Sequence, residues 1–242
     1  MHTPIKVLAA ISFLFSGVCH AQEALQNVGE QMAHYYEKPN PGVIVSWIKY
    51  VSAAGVFQNE SARLPIMIFI SEVVKSNPDK SAQWCKELSV LPSANKAYVA
   101  WSFRNANVPA QGECIQTLLG LSDEEKRKVL ATERQDPLAK TPTTPGDLDM
   151  LWAIFMATGS ELAINRIIDV LGIPSPKNSS YGAMEMQMLM LKGSAQWSLS
   201  SNIQQHRRVA EIVNARRLHG SDALRKELDS VIDNAINVNQ IK

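Results

Sequence analysis

From residue 23 to the carboxy terminus, apolar side chains recur three and four positions apart, the spacing that places them on one face of a helix. Residues 23–36 read as a first helix. Asn40 and Pro41 supply a cap and a first-turn proline, behind which Ile44, Trp47, Ile48 and Val51 share a face and Gly55 stops the helix. Pro65 and Pro78 suit first-turn positions of two further helices, one presenting Ile66, Ile70 and Val73, the other Trp84, Leu88 and Leu91, with the break at Asn77-Pro78. Ser93 caps a helix through Asn105 that turns Tyr98 and Trp101 inward, and Pro109 opens another to about Leu119. Ser122 and Glu125 have the spacing of a capping box, in which hydroxyl and carboxylate satisfy each other's end of a helix.

Residues 135–146 interrupt this rhythm. Three prolines among small polar residues cannot continue a helix, so the segment reads as a linker. Beyond it, Asp147–Thr158 closes on Gly159, and Ser160 caps Glu161–Leu171, which closes on Gly172: a helical hairpin with a minimal turn. A loop over Pro174–Ser180 precedes a long helical stretch from 182 with an expected break near Ser198–Ser201, and a last helix follows Ser221. No strand pair is predicted. The expectation is an all-α fold, an irregular helical bundle or α-α hairpin stack of about ten helices. The tryptophans fall at irregular intervals and give no repeat signature. Residues 22–242 read as one α-helical domain, or as two subdomains, 22–134 and 147–242, joined by the linker.

The amino terminus carries a different pattern. A single basic residue, Lys6, precedes an apolar run from Val7 to Val18, the length of a signal-peptide core; a membrane-crossing helix needs about 20 apolar residues. Cys19 and Ala21 are small residues suited to a cleavage site after residue 21. Acylation of Cys19 is the rival reading, but Ser16 and Val18 fit a lipidation motif poorly. A signal peptide over 1–21 implies a periplasmic or secreted protein with no stable membrane insertion after cleavage. The short amino-terminal region and the scarcity of cysteine favour the periplasm.

Export changes the meaning of charge and cysteine. The whole chain has a formal net charge of +1; losing Lys6 with the signal peptide leaves acidic and basic residues in balance. A neutral chain has no field to draw it to nucleic acid, and none is expected as a partner. Cleavage also leaves two cysteines, Cys85 and Cys114. Outside the cytoplasm they can pair, closing a loop that stabilises the fold by about 3 kcal/mol, or remain two buried thiols.

Candidate chemistry is sparse. Met184, Met186, Met188 and Met190 are soft thioether ligands suited to copper, but on a helix only the pairs 184/188 and 186/190 share a face, and core packing is the simpler role. His34 stands four residues after Glu30 on a predicted helix, which makes two ligands and no metal motif. Asp147 and Asp149 suit a helix amino terminus better than a pair of glycosidase carboxylates. Glu72, within the apolar run Ile66–Val74, is the best candidate for a general acid, and is equally suited to pairing with Arg63 or Arg104. Serine-nucleophile and phosphate-loop motifs are missing. Neither a cofactor nor a metal is expected.

Near the carboxy terminus Arg207, Arg208, Arg216, Arg217, Arg225 and Lys226, with His206 and His219, read most simply as a solvated helix face; as a basic stripe they would suit an acidic partner or an anionic envelope surface. The reading these features favour is a non-enzymatic helical interaction protein of the cell envelope, holding a protein or peptide partner between helix pairs, with the basic stripe on the rim of the groove. The alternatives are an envelope hydrolase using Glu72 and a copper or small-ligand carrier using Met184–Met190.

Overall fold

The computed structural model describes residues 27–174 and 182–239. The expected signal peptide, and the loop after Pro174 through residue 181, lie outside the described residues. What is described is helical, without a strand. The helices are α1 (27–33), α2 (Ile44–Ala53), α3 (Glu60–Ser76), α4 (Ser81–Leu88), α5 (Ser93–Ala106), a short α6 (Gln111–Glu113) continuing as a π-helical turn (Cys114–Leu118), α7 (Asp123–Ala131), α8 (Pro145–Thr158), α9 (Glu161–Leu171), α10 (Ala183–Gln205), α11 (Arg207–His219) and α12 (Asp222–Asn239). No helix among the described residues is long and apolar enough to cross a membrane.

Local chemistry explains most boundaries. The Ser122 hydroxyl accepts from the Glu125 amide at 3.3 Å while the Glu125 carboxylate accepts from the Ser122 amide at 2.7 Å, so α7 opens on the predicted capping box. Thr144 and Asp147 make a second box at the start of α8. Gly159 ends α8 at φ 68°, a left-handed conformation that favours a residue without a side chain. Ser160 then caps α9.

Other boundaries differ from the prediction: α1 ends at residue 33, Pro78 lies in a 3-10 turn ahead of α4, and Ser93 is the first residue of α5 rather than its cap. Pro65 lies inside α3, because Asn59 caps the chain a turn and a half earlier, its side chain accepting from the amides of Ser61 and Ala62. The break in the long carboxy-terminal stretch falls at His206, not near Ser198–Ser201. Those serines stay helical because the Ser198 hydroxyl donates to the Ala195 carbonyl and the Ser200 hydroxyl to the Val231 carbonyl of α12.

Two helices organise the packing. α3 packs on both α5 and α8; α10 packs on α9, α11 and α12. A continuous buried apolar cluster runs from Tyr35 to Val231 and takes residues from both sides of the 135–146 segment, with Phe57, Phe103 and Phe155 wholly buried. Each such side chain contributes about 1.5–3 kcal/mol by leaving water. The segment is itself fastened down. Its Gln135 amide donates to Asn105 of α5, Arg166 of α9 donates to the Leu138 carbonyl, and Gln187 of α10 donates to the Thr143 carbonyl.

Cys85 and Cys114 form a disulfide, their Cα atoms 5.6 Å apart. Both are fully buried, and the bridge ties α4 to the π-helical turn. Buried polar links reinforce the same half. The Ser71 hydroxyl donates to the Ser102 carbonyl of α5 at 3.0 Å, and Asn95 of α5 donates to the Ser52 hydroxyl of α2.

Candidate functional site

A groove of about 650 Å³ lies between α3, α5 and α7. Helical spacing sets its floor: Leu64 and Met67 from α3, Ala94, Ala97, Tyr98 and Trp101 from α5, and Val129 from α7. Trp101 is buried, with its indole N–H donating to the Glu133 carbonyl at 3.3 Å, so the ring is fixed rather than mobile. The guanidinium of Arg63 lies 4.9 Å over the Tyr98 ring, and its Nε donates to the Phe57 carbonyl. Arg63, Lys128, Glu125 and Glu133 line the same groove and bring both signs of charge to it. Such a groove, apolar beneath and charged at its margin, has the volume of an ordinary ligand or side-chain pocket.

A second, shallower groove of about 420 Å³ runs between α1, α3 and α8 and includes Met32, Pro65, Phe69, Asp149 and Trp152. Asp149 therefore does not pair with Asp147, whose carboxylate is occupied at the helix start by Thr143 and Thr144.

The other concentration of chemistry is a polar cluster where the chain after α1 meets the α10–α11 junction. His34 Nδ1 lies 3.1 Å from a Glu37 carboxylate oxygen, and the Tyr36 hydroxyl donates to the same oxygen at 3.0 Å. Tyr36 Oη is also 3.3 Å from Nδ1 of His206. The His34 and His206 rings lie 4.6 Å apart. His206 breaks the helix with extended backbone, φ −129° and ψ 106°, which turns its ring into the core against Phe155. It is fully buried, and its Nε2 has no hydrogen-bond partner.

Position is fixed from outside the cluster as well. The Tyr36 ring packs on Phe155, its centroid 4.6 Å away, and on Gly159, where a Cβ would stand 2.9 Å from Tyr36 Cδ2. Arg208 donates to the Gly159 carbonyl at 2.7 Å. Burial, and then the neighbouring His34, push the His206 imidazole down to about 4, so it is neutral at physiological pH. Burial, reinforced by the hydrogen bond to Glu37, pushes the Tyr36 hydroxyl up to about 12. The hydrogen bond from His34 holds Glu37 below the usual carboxylate range. Two imidazoles and a carboxylate, with ligand atoms all within 4.8 Å of one another, form a group able to hold a metal ion.

The sequence placed His34 with Glu30 and His206 in the basic stripe. The structure gathers His34 with Glu37 and His206 and buries the latter, which removes it from any solvent-facing stripe. Spacing i, i+3 between His34 and Glu37 was legible; the meeting with a residue about 170 positions away was not.

The basic residues go to separate tasks. Arg207 is exposed and pairs with Glu211 at 2.8 Å, one turn along its own helix. Arg208 holds Gly159. Arg216 bridges to Asn165 and Asp169 of α9, and Arg217 pairs with Asp229 of α12. None of these four lines the large groove. Glu72 takes Lys75 as its partner at 3.7 Å, while Arg63 and Arg104 bond carbonyls of Phe57 and Thr132. Burial raises its carboxyl, yet it lines neither groove. The methionines occupy the first turns of α10, where 184/188 and 186/190 fall on different faces. Met184, Met186 and Met190 are exposed, so this segment is not core packing.

No family model, no curated protein and no solved structure matches the chain.

Proposed function

We propose that the chain is an exported helical binding protein of the cell envelope, holding an apolar segment of a protein or peptide partner in the groove between α3, α5 and α7. The observation that carries this reading is the groove itself: about 650 Å³ of open, mainly apolar space around Tyr98, Trp101 and Met67. Rigid aromatic floors lose little side-chain entropy when a partner docks, and they favour aromatic or large aliphatic anchors. Charges of both signs around the groove suit a partner whose anchor is flanked by acidic and basic residues. Export rests on the amino-terminal pattern, and the buried Cys85–Cys114 bridge fits a chain that folds outside a reducing compartment.

The test uses residues 22–242, tagged at the carboxy terminus and expressed in the native envelope. Ala94, exposed at the groove, is replaced by a photo-crosslinking residue. One protein trapped near stoichiometrically, and lost when Ala97→Arg fills the groove, is the expected result. Recovery of the bait alone, capture undiminished by Ala97→Arg, or capture abolished only by Arg207→Glu overturns the groove as the binding face.

A further inference from the structure

We propose that His34, Glu37 and His206 bind a divalent transition-metal ion of the zinc class, two imidazoles and one carboxylate holding it with a coordination position open to solvent. Donor chemistry sets the class. Nitrogen and carboxylate oxygen ligands suit zinc and its neighbours, whereas calcium and magnesium need oxygen cages. Two histidines and a glutamate form the three-protein-ligand set of an open zinc site, in which water or a substrate atom completes the coordination.

Independent support comes from the unpartnered nitrogen of His206. The Tyr36 hydroxyl has one proton, and its shorter contact assigns it to Glu37: 3.0 Å, against 3.3 Å to His206. Tyr36 Oη therefore accepts from Nδ1–H of His206, which leaves the lone pair on Nε2. That lone pair is buried in a fully buried ring, and no donor reaches it. A buried acceptor without a partner costs about 1–3 kcal/mol, a penalty that a bound cation removes. In metal-binding histidines one ring nitrogen donates to a fixed second group and the other is left for the metal; in His206 Nδ1 has such a group and Nε2 is the nitrogen left over. Here Tyr36, wedged between Phe155 and Gly159, is that group.

The ligand atoms span up to 4.8 Å, wider than the roughly 3.5 Å separations of a tetrahedral zinc shell. Closing that difference falls to the more exposed side. The His34 and Glu37 side chains are 42% and 49% exposed, on a short segment after α1, while His206 is locked in the core. The ion would draw the former two onto the latter, pinning the amino-terminal segment to the α10–α11 junction. Half-exposure of the same two residues leaves the outer face of the ion open to water.

The test is titration of the untagged, chelator-stripped full chain, its disulfide intact, with Zn²⁺ alone, followed by calorimetry and thermal melting. Co²⁺ supplies a spectroscopic readout. One zinc per chain, a raised Tm and the visible absorption of four- or five-coordinate cobalt are expected. Glu37→Gln and His34→Gln, both at half-exposed positions that leave the core untouched, should each weaken zinc binding by about tenfold or more. His206→Gln should abolish it. Absence of stoichiometric binding, or affinity unchanged in both half-exposed variants, overturns the site, the latter result assigning the zinc to adventitious surface groups.

Discussion

The α3-centred half and the α10-centred half are built from the same kind of helix and held by different means. Around α3, the links between helices are buried: the Cys85–Cys114 bridge, the Ser71 hydroxyl on the Ser102 carbonyl, and Asn95 on Ser52. Around α10, a buried link of the Ser200 hydroxyl to the Val231 carbonyl is joined by ion pairs: Lys192 with Glu227 at 2.7 Å, Arg216 with Asp169 at 2.7 Å, and Arg217 with Asp229. Buried neutral links are indifferent to salt, and exposed ion pairs are screened by it. The amino-terminal half carries the one covalent link among the described residues, and it carries the groove. The carboxy-terminal half carries the titratable junction at His206.

The sharpest way to break this contrast is to remove the covalent link. Replacing Cys85 and Cys114 together with serine frees a loop of 29 positions and should destabilise the chain by about 3 kcal/mol, lowering Tm by about 10 °C in a protein of this size. Hydrogen exchange locates the loss. Amides of α4 and the π-helical turn should exchange faster, with α10 and α12 little changed. Equal acceleration in both halves would show that they unfold as one cooperative unit and that the bridge does not stiffen its own half.

A smaller effect comes from the junction. In the metal-free protein the folded His206 titrates near 4, well below the 6.5 of an unfolded histidine. Between those values the unfolded chain binds the extra proton, so stability rises with pH across the window and is lost as pH falls through it. The contribution is about 2 kcal/mol, below full conversion of the shift because the neighbouring His34 and Glu37 are half exposed. Urea melts from pH 4 to pH 7 should show this slope in the native protein, with His206→Gln flattening it. An unchanged slope in the variant would assign the pH dependence to other groups.

Much of this frame could be read from single positions. Ser122, Gly159 and Ser160 mark helix ends because their reasons are local: a hydroxyl three residues from an amide, a left-handed φ. Where sequence reading failed, the partner was remote. Ser198–Ser201 resembles a break until α12 supplies a carbonyl for Ser200, and His206 resembles a surface charge until α8 supplies Phe155 beside it. The groove was half legible. The inward-facing Tyr98 and Trp101 are legible, but the space beside them depends on where α7 comes to lie along α5, which no local signal gives. The arginines at 207–217 were identified as charged, yet nothing local shows that α9 and α12 place carboxylates opposite two of them.

Those arginines give the smallest and most discriminating test. Arg217 and Asp229 are each roughly half exposed, so a double-mutant cycle with alanine at both should return a coupling below about 1 kcal/mol that fades in high salt. The Lys192–Glu227 pair is more deeply placed, with side chains 13% and 28% exposed, and Gln196 donates a further hydrogen bond to Glu227 at 2.8 Å. Its coupling should be larger and should survive salt, because water reaches the pair less easily and the carboxylate keeps a second donor. If both couplings are small and vanish together in salt, the α10 half is held by its apolar seam of Leu191, Leu199, Leu228 and Val231, all of them buried. The ion pairs would then contribute nothing to the difference between the halves. If the deeper pair holds while the outer one fades, the difference lies in how far each link stands from water.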